Sequence, residues 1–247
     1  MKNFLRTDLA SELTDAVNAH FDGVCRISEV RLGKEDAQRM GKSEGRYITL
    51  ETSALTGDDE GARRRVSVAL TRCLRSLAGD CSRILVAGLG HTLMTAEAPR
   101  AETCASLGVG DGVMCVTPSV PGITGIESFD VVMGVCDRVR PTLVIAVDSL
   151  AAASVTRLGT VVQLTDAGIT PGSGVSNHKR KLSRETLGVQ VIGVGVPLVV
   201  YASTIIREAG GDDTGCESLI VTPKEVDVYV RDAARTVAAA IEGLRSE

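Results

Sequence analysis

The chain has 247 residues, 44% of them hydrophobic, enough to bury a full core as one domain. A net charge of −4, from 31 acids against 27 bases, offers no basic surface for nucleic acid, and the absence of Trp, with three Tyr and three Phe, argues against base-stacking or sugar-stacking platforms. No apolar run approaches the roughly 20 residues that span a bilayer and residues 1–6 lack a signal-peptide core, so a soluble intracellular protein is expected.

Residues 6–12 carry a helix-start signature, with Thr7 or Asp8 as cap and Leu9, Leu13, Ala16 and Val17 at helical spacing, which predicts an N-terminal amphipathic helix. Residues 23–32 and 46–53 alternate as strands do, with a charged connection over 34–44. Residues 63–78 read as a helix with Val66, Leu70, Leu74 and Leu77 on one face. A buried strand over 83–87 leads into Gly88-Leu-Gly90, a tight turn that fails the dinucleotide fingerprint because position 93 is Leu. Glu97 then opens a helix running to Leu107, where a carboxylate suits the helix dipole. After a strand at 113–117 and a Pro/Gly loop over 118–125, residues 127–139 read as a helix.

The stretch 143–177 anchors the chain. Residues 143–147, LVIAV, have the length and β-branched content of a strand buried on both faces, and Asp148 stands where that strand is expected to end. A helix start is expected over 149–154, a second strand over 160–164 closed by Asp166, and then a glycine-rich loop, Gly168-Ile-Thr-Pro-Gly-Ser-Gly174, followed by the basic cluster His178-Lys-Arg-Lys181. A strand over 189–194, a turn at 195–197, a helix over 198–209 and a final helix from Thr222-Pro-Lys-Glu225 to about Leu244 complete the pattern. Strands alternating with helices define an α/β fold with a mainly parallel sheet between helix layers.

Seven cysteines, scattered without a CxxC pair, read as reduced thiols, and three separated histidines without HExxH give no zinc site of the usual kind. There is no GxSxG elbow and no phosphate-binding P-loop. Carboxylates remain. Glu97 and Asp148 each follow a buried strand at the same expected sheet edge, where two facing acids can share a proton and activate water, or hold a divalent metal.

Five ordered segments make the reading specific: ILVAGLGHTLMTAEA, TPSVPGITGIES, RPTLVIAVDSLAAAS, DAGITPGSGVSNHKRKLSRETLGVQVIGVGVP and VTPKEVD. Together they resemble the germination protease (spore protease) family, peptidases of spore-forming Firmicutes that degrade small acid-soluble spore proteins. The resemblance implies an α/β fold similar to hydrogenase maturation endopeptidases, a cytoplasmic enzyme of the forespore, an atypical aspartic-type mechanism without cofactor or metal, and a homo-oligomer, a tetramer in the family. It assigns the catalytic pair to Glu97 and Asp148. At the first of these the family usually has Asp, within GLGN and VTPDA, where this chain has GLGH and MTAEA; Glu there matches the hydrogenase-processing relatives. His91, Asp166, Gly172, Ser173 and Gly174 are expected to shape the site or bind substrate.

The family is made as a zymogen that removes its own propeptide at an acid-apolar-Ala-Ser-Glu sequence. Asp8-Leu-Ala-Ser-Glu12 fits, which places processing between Asp8 and Leu9, with residues 1–8 as propeptide and 9–247 as a single peptidase domain. Neither nucleic acid nor membrane is expected as a partner. Two rivals stand beside this reading: a metal-dependent processing peptidase of the hydrogenase-maturation kind, with Glu97, Asp148 and His178 as ligands, and a non-catalytic α/β protein holding a phosphate or nucleotide on its glycine turns.

Overall fold

The computed structural model describes residues 6–89, 99–108, 110, 112–171, 180–213, 215–216 and 218–245. Among these, Asn18–Phe21 (β1), Arg26–Leu32 (β2), Gly45–Glu51 (β3), Ile84–Leu89 (β4), Val113–Ser119 (β5), Leu143–Ala152 (β6), Val161–Thr165 (β7), Gln190–Tyr201 (β8) and Ile220–Val221 (β9) form one sheet. Its order is β1-β2-β3-β7-β8-β6-β4-β5, with β9 added on β8. The α/β class is as expected, but the sheet is mixed. The neighbours β8, β6, β4 and β5 run parallel, while β1, β2, β3 and β7 pair antiparallel along the other half and β7 joins β8 antiparallel.

One face of this sheet carries the principal core. Ile84, Val86, Leu143, Ile145, Val147, Val162, Leu164, Ile192 and Val194 pack there with Glu60–Leu77 (α2) and Val226–Gly243 (α8). The α2 stripe of Val66, Leu70, Leu74 and Leu77 is buried as its spacing predicts, and Asp59 caps the helix by accepting from the Ala62 N–H at 2.9 Å. The opposite face is covered in patches. Ser128–Val139 (α5) supplies Phe129, Val132 and Cys136 against Leu85, Ala87, Val144 and Ala146. Ala10 and Ala37 of Lys34–Met40 (α1) gather with Val30, Leu32 and Tyr47, and Leu9 lies with Leu150, Ala152, Val161 and Val200. Pro99–Ser106 (α3), Pro121–Thr124 (α4), Arg184–Leu187 (α6) and Ala202–Glu208 (α7) complete the helices.

Several expectations are corrected. Residues 7–17 form no amphipathic helix; a single 3-10 turn at Ala10–Glu12 suffices, because Leu9 and Ala10 are buried by distant strands rather than by a helical stripe. The charged stretch 34–44 contains α1, closed by Gly41 in the left-handed region at φ 64°. Residues 149–152 continue β6 instead of starting a helix, and residues 195–197 lie inside β8 instead of turning. Pro197 is accommodated by a bulge: Leu150 pairs with Pro197 and Ala151 with Val199, so the missing N–H falls where the ladder is already interrupted. The final helix starts at Val226, and the Thr222 hydroxyl donates to the Leu198 carbonyl at 3.1 Å rather than capping it.

An ion pair fastens the antiparallel half. Arg46 on β3 donates to both carboxylate oxygens of Glu29 on β2, at 3.0 and 3.3 Å, and Arg31 adds a third bond at 2.7 Å. These bonds, Arg46 foremost, hold the Glu29 carboxyl below its usual value of 4.5. A carboxyl lowered on folding contributes stability above its unfolded value and loses it as pH falls through the folded one. Glu29→Gln should therefore cost about 1 kcal/mol at neutral pH, and the gap from wild type should close below pH 4.5 in urea melts run down the acid range.

Candidate active site

Asp148 lies within β6, not at its end, and is 5% exposed. Alternation puts it on the same face as Val144 and Ala146 before it and Leu150 and Ala152 after it, between the apolar patch of α5 and the patch around Leu9. Its Oδ1 accepts from the Ser149 N–H at 2.9 Å. Strand β4 pairs with β6 no further than Gly88 opposite Val147, so Asp148 stands just where β6 outruns its neighbour.

Across the sheet from Asp148 runs a row of three residues on one face. Asp148 on β6 is paired with Gly195 on β8, and Gly195 is paired with Gln163 on β7. Two strand spacings put the outer Cα atoms about 10 Å apart. Only a glycine separates the two side chains. A Cβ on Gly195 would lie 2.4 Å from Leu150 Cδ1, so the place of a side chain there is taken by Leu150 leaning across from β6. Two residues along β8, a Cβ on Gly193 would meet Thr165 Cγ2 at 3.1 Å. Both glycines line a cleft of about 740 Å³, which extends past Gly168, Ile169 and Thr170 on one side and Lys42 and Tyr201 on the other.

The N-terminal segment forms one wall of this cleft, through Arg6, Thr7, Asp8, Leu13 and Thr14, while the residues between turn into the core. The Asp8 N–H donates to the Ala151 carbonyl at 2.8 Å, and the Ala151 N–H returns a bond to Asp8 Oδ2 at 2.8 Å. Gln163, 5% exposed, uses both ends of its amide on this segment: Nε2 donates to the Asp8 carbonyl at 3.1 Å, and Oε1 accepts from the Ala10 N–H at 2.7 Å. Leu9 is thus bracketed by one side chain, which also bonds the carbonyl oxygen of the Asp8–Leu9 linkage. Leu9 and Ala10 are wholly buried. Glu12 Oε2 accepts from the Ala153 N–H at 2.8 Å and from the Thr7 hydroxyl, while its Oε1 lies 3.3 Å from Arg157 Nε. Arg157 also reaches Glu51 at 2.9 Å. Lys42 donates to the Thr7 carbonyl at 2.9 Å and lies 3.9 Å from Asp8 Oδ1. Burial pulls the Lys42 ammonium below its usual value, against the opposing pull of Asp8 and Glu12.

Of the residues expected to form the site, Asp8 lines the cleft, Leu9 packs on Leu150 and Ala152, and Asp148 stands two residues before Leu150 on the same face of β6, outside the lining of the cleft. Asp166 does a different job at the end of β7: its Oδ1 accepts from the Arg46 N–H at 2.7 Å, joining the ends of β3 and β7, while the residues just after it line the cleft. Glu97, His91, Gly172, Ser173, Gly174 and His178 lie outside the described residues. Among the described residues no three His, Cys, Asp or Glu side chains converge as a metal site. Burial pushes the thiols of Cys25, Cys73 and Cys136 up to about 11, which leaves them protonated and poor nucleophiles at neutral pH. Gln163, Lys42 and Arg157 were not singled out by sequence reasoning. The signal for Gln163 was present, a lone amide within the apolar strand VVQLT.

Two substitutions probe this arrangement. Arg157→Ala leaves Glu12 without its cation and should cost about 1–3 kcal/mol, while making the bonds near Leu9 accessible to added thermolysin. Gly195→Ala drives Leu150 out of its position and should destabilise by about 1–3 kcal/mol, read by thermal melts.

Residues 10–210 match the family model described as germination protease. A germination protease of Caldanaerobacter subterraneus is 32% identical, over 96% of this chain and 93% of the relative. Those of Halalkalibacterium halodurans and Bacillus subtilis are 34% and 36% identical, each over 83% of this chain, and the chain spans only 66% and 65% of their lengths. Among solved structures, the NiFe hydrogenase maturation protease HycI from Thermococcus kodakarensis aligns at a TM-score of 0.45 and 18% identity, over 69% of this chain and 99% of that one. The match over most of the chain and the identity to these relatives agree: this chain belongs to the germination protease family.

Proposed function

We propose that the chain is an endopeptidase that degrades small acid-soluble spore proteins and first processes itself, releasing residues 1–8 and leaving 9–247 as the peptidase domain. The observation that carries this is the seat of Asp8-Leu-Ala-Ser-Glu12. The chain's own acid-apolar-Ala-Ser-Glu sequence lies against β6 and β7, bonded on either side of Leu9, at the Asp8 carbonyl and the Ala10 N–H, by Gln163 in the same row of the sheet as Asp148. A segment of that chemistry is what a self-processing member must present to its own site.

In this reading Asp148 and Glu97 form the carboxylate pair. The ionised member takes a proton from water as the water attacks the Asp8 carbonyl carbon, and the protonated member gives its proton to the departing Leu9 nitrogen. The apolar patches on either side of Asp148 keep bulk water from that exchange and strengthen its electrostatics. Asp166 supports the site by fixing β7 against β3, and His91, Gly172, Ser173 and Gly174 take part in shaping it or in binding substrate. The family setting adds a homo-oligomer, a tetramer, working in the forespore cytoplasm. No described helix is long and apolar enough to cross a membrane.

The test is mass spectrometry of the purified chain over time at mildly acidic and neutral pH. Wild type should lose its first eight residues. Asp148→Asn and Glu97→Gln should slow that loss on the order of 100-fold or more, and should equally spare an added acid-soluble spore protein. Trimming at the wild-type rate in both variants would assign the cut to an outside protease and remove the carboxylate pair from the mechanism.

A further inference from the structure

This face of the sheet holds the chain's own N-terminal segment with more order than a tether requires. A tether needs buried apolar surface and any set of hydrogen bonds. Here each residue of the segment meets a different kind of surface. Leu9 enters an apolar pocket of Leu150, Ala152, Leu158, Val161 and Val200. Ala10 is wholly enclosed beside Val30, Leu32, Ala37 and Tyr47, where a larger side chain has no room. The acids at either end, Asp8 and Glu12, each receive one backbone N–H, from Ala151 and Ala153, and each faces one cation, Lys42 and Arg157. Glu51 holds the Arg157 guanidinium from its other side, so that cation is fixed whether or not Glu12 is present.

Between those ends, both hydrogen bonds from the Gln163 amide go to main-chain atoms of the segment. Such contacts do not depend on which side chains the segment carries. They set its position along the cleft, and the surrounding pockets select its sequence. The Nε2 donor also falls on the carbonyl that hydrolysis would attack, where an N–H stabilises developing negative charge on oxygen.

We propose that Gln163 is a positioning residue that fixes a bound polypeptide opposite Asp148, and that Lys42 and Arg157 read the acids at its two ends. The N-terminal segment then fills in cis a site that accepts an acid-apolar-Ala-Ser-Glu segment from a separate polypeptide. The recognition stands on the contacts alone; its link to bond cleavage rests on the peptidase reading.

The test uses the full chain carrying Ala10→Arg, which cannot seat its own segment, and a fluorescent peptide of residues 5–14 followed by anisotropy. Glu12→Lys provides a second background should the first fail to fold by thermal melt. The vacated cleft should bind the peptide at least about ten-fold more tightly than wild type, in which the segment competes. Adding Gln163→Ala should weaken the peptide about ten-fold or more. Arg157→Glu should do the same, with recovery when the peptide itself carries Glu12→Arg. Unchanged affinity in Gln163→Ala and Arg157→Glu, or no binding by a folded vacated chain, would overturn the proposal.

Cleavage is scored separately. Asp148→Asn should leave peptide affinity within about three-fold while the peptide stays whole. A peptide that binds with this dependence on Gln163 and is never cut, even with Asp148 present, removes the peptidase reading and leaves the recognition site. A peptide cut as fast in Gln163→Ala as in its parent, at concentrations well below saturation, removes Gln163 as a positioning residue and leaves the peptidase.

Discussion

Gly195 sits in the interior of the sheet with a strand on each side, and the space that a methyl group would fill there is occupied by Leu150. This one exclusion governs the face. Because β8 presents no side chain between Asp148 and Gln163, Leu150 can lie over the strand and present its face to the N-terminal segment. Leu150, leaning across the gap, supplies part of the pocket that buries Leu9. The glycine weakens β8 as a strand, and the cost is met by the long apolar ladder that β8 shares with β6 on the other face.

The same face shows how a carboxylate is tolerated inside a sheet. Asp148 occupies a position that the strand pattern would fill with an aliphatic residue, and the apolar patches before and after it close around their own partners, α5 and the N-terminal segment. The carboxylate therefore interrupts no single core; it falls at the seam between two. The last β4 pairing with β6 is Gly88 with Val147, one residue before Asp148, and three residues beyond it Asp8 takes up the main chain of Ala151.

Much of this architecture was legible in the sequence. The apolar runs 84–87, 143–147, 161–164 and 190–194 are buried strands, and the α2 stripe lies where its period puts it. Asp148 was readable as an acid on a buried strand, but not as one within it. Local pattern treats a charge as a boundary, whereas here the seam between two patches lets the strand continue to Ala152. Gly195-Val-Pro197 carries the composition of a turn and is strand, because the bulge opposite Leu150 absorbs the proline. The helix expected near residue 9 failed for the opposite reason. Leu9, Leu13, Ala16 and Val17 have helical spacing, yet Leu9 finds its partners some 140 to 190 residues away, at Leu150 through Val200. The Asp8-Leu-Ala-Ser-Glu12 stretch was legible as a motif and Gln163 as a lone amide in an apolar strand, while Lys42 and Arg157 were not, since contacts between residues so far apart leave no local trace.

That separation has a temporal consequence. The pocket for Leu9 includes Val200, and the bonds to Asp8 and Ala10 come from residues 151 and 163. Closing so large a loop is among the slowest contacts a chain can form. During synthesis the first dozen residues emerge long before anything exists to receive them, and they stay loose until β8 has been made and paired. Residues 8–12 are therefore among the last parts of the described fold to settle. Any encounter between this segment and the rest of a neighbouring copy, on a crowded polysome, has the whole of that interval in which to occur.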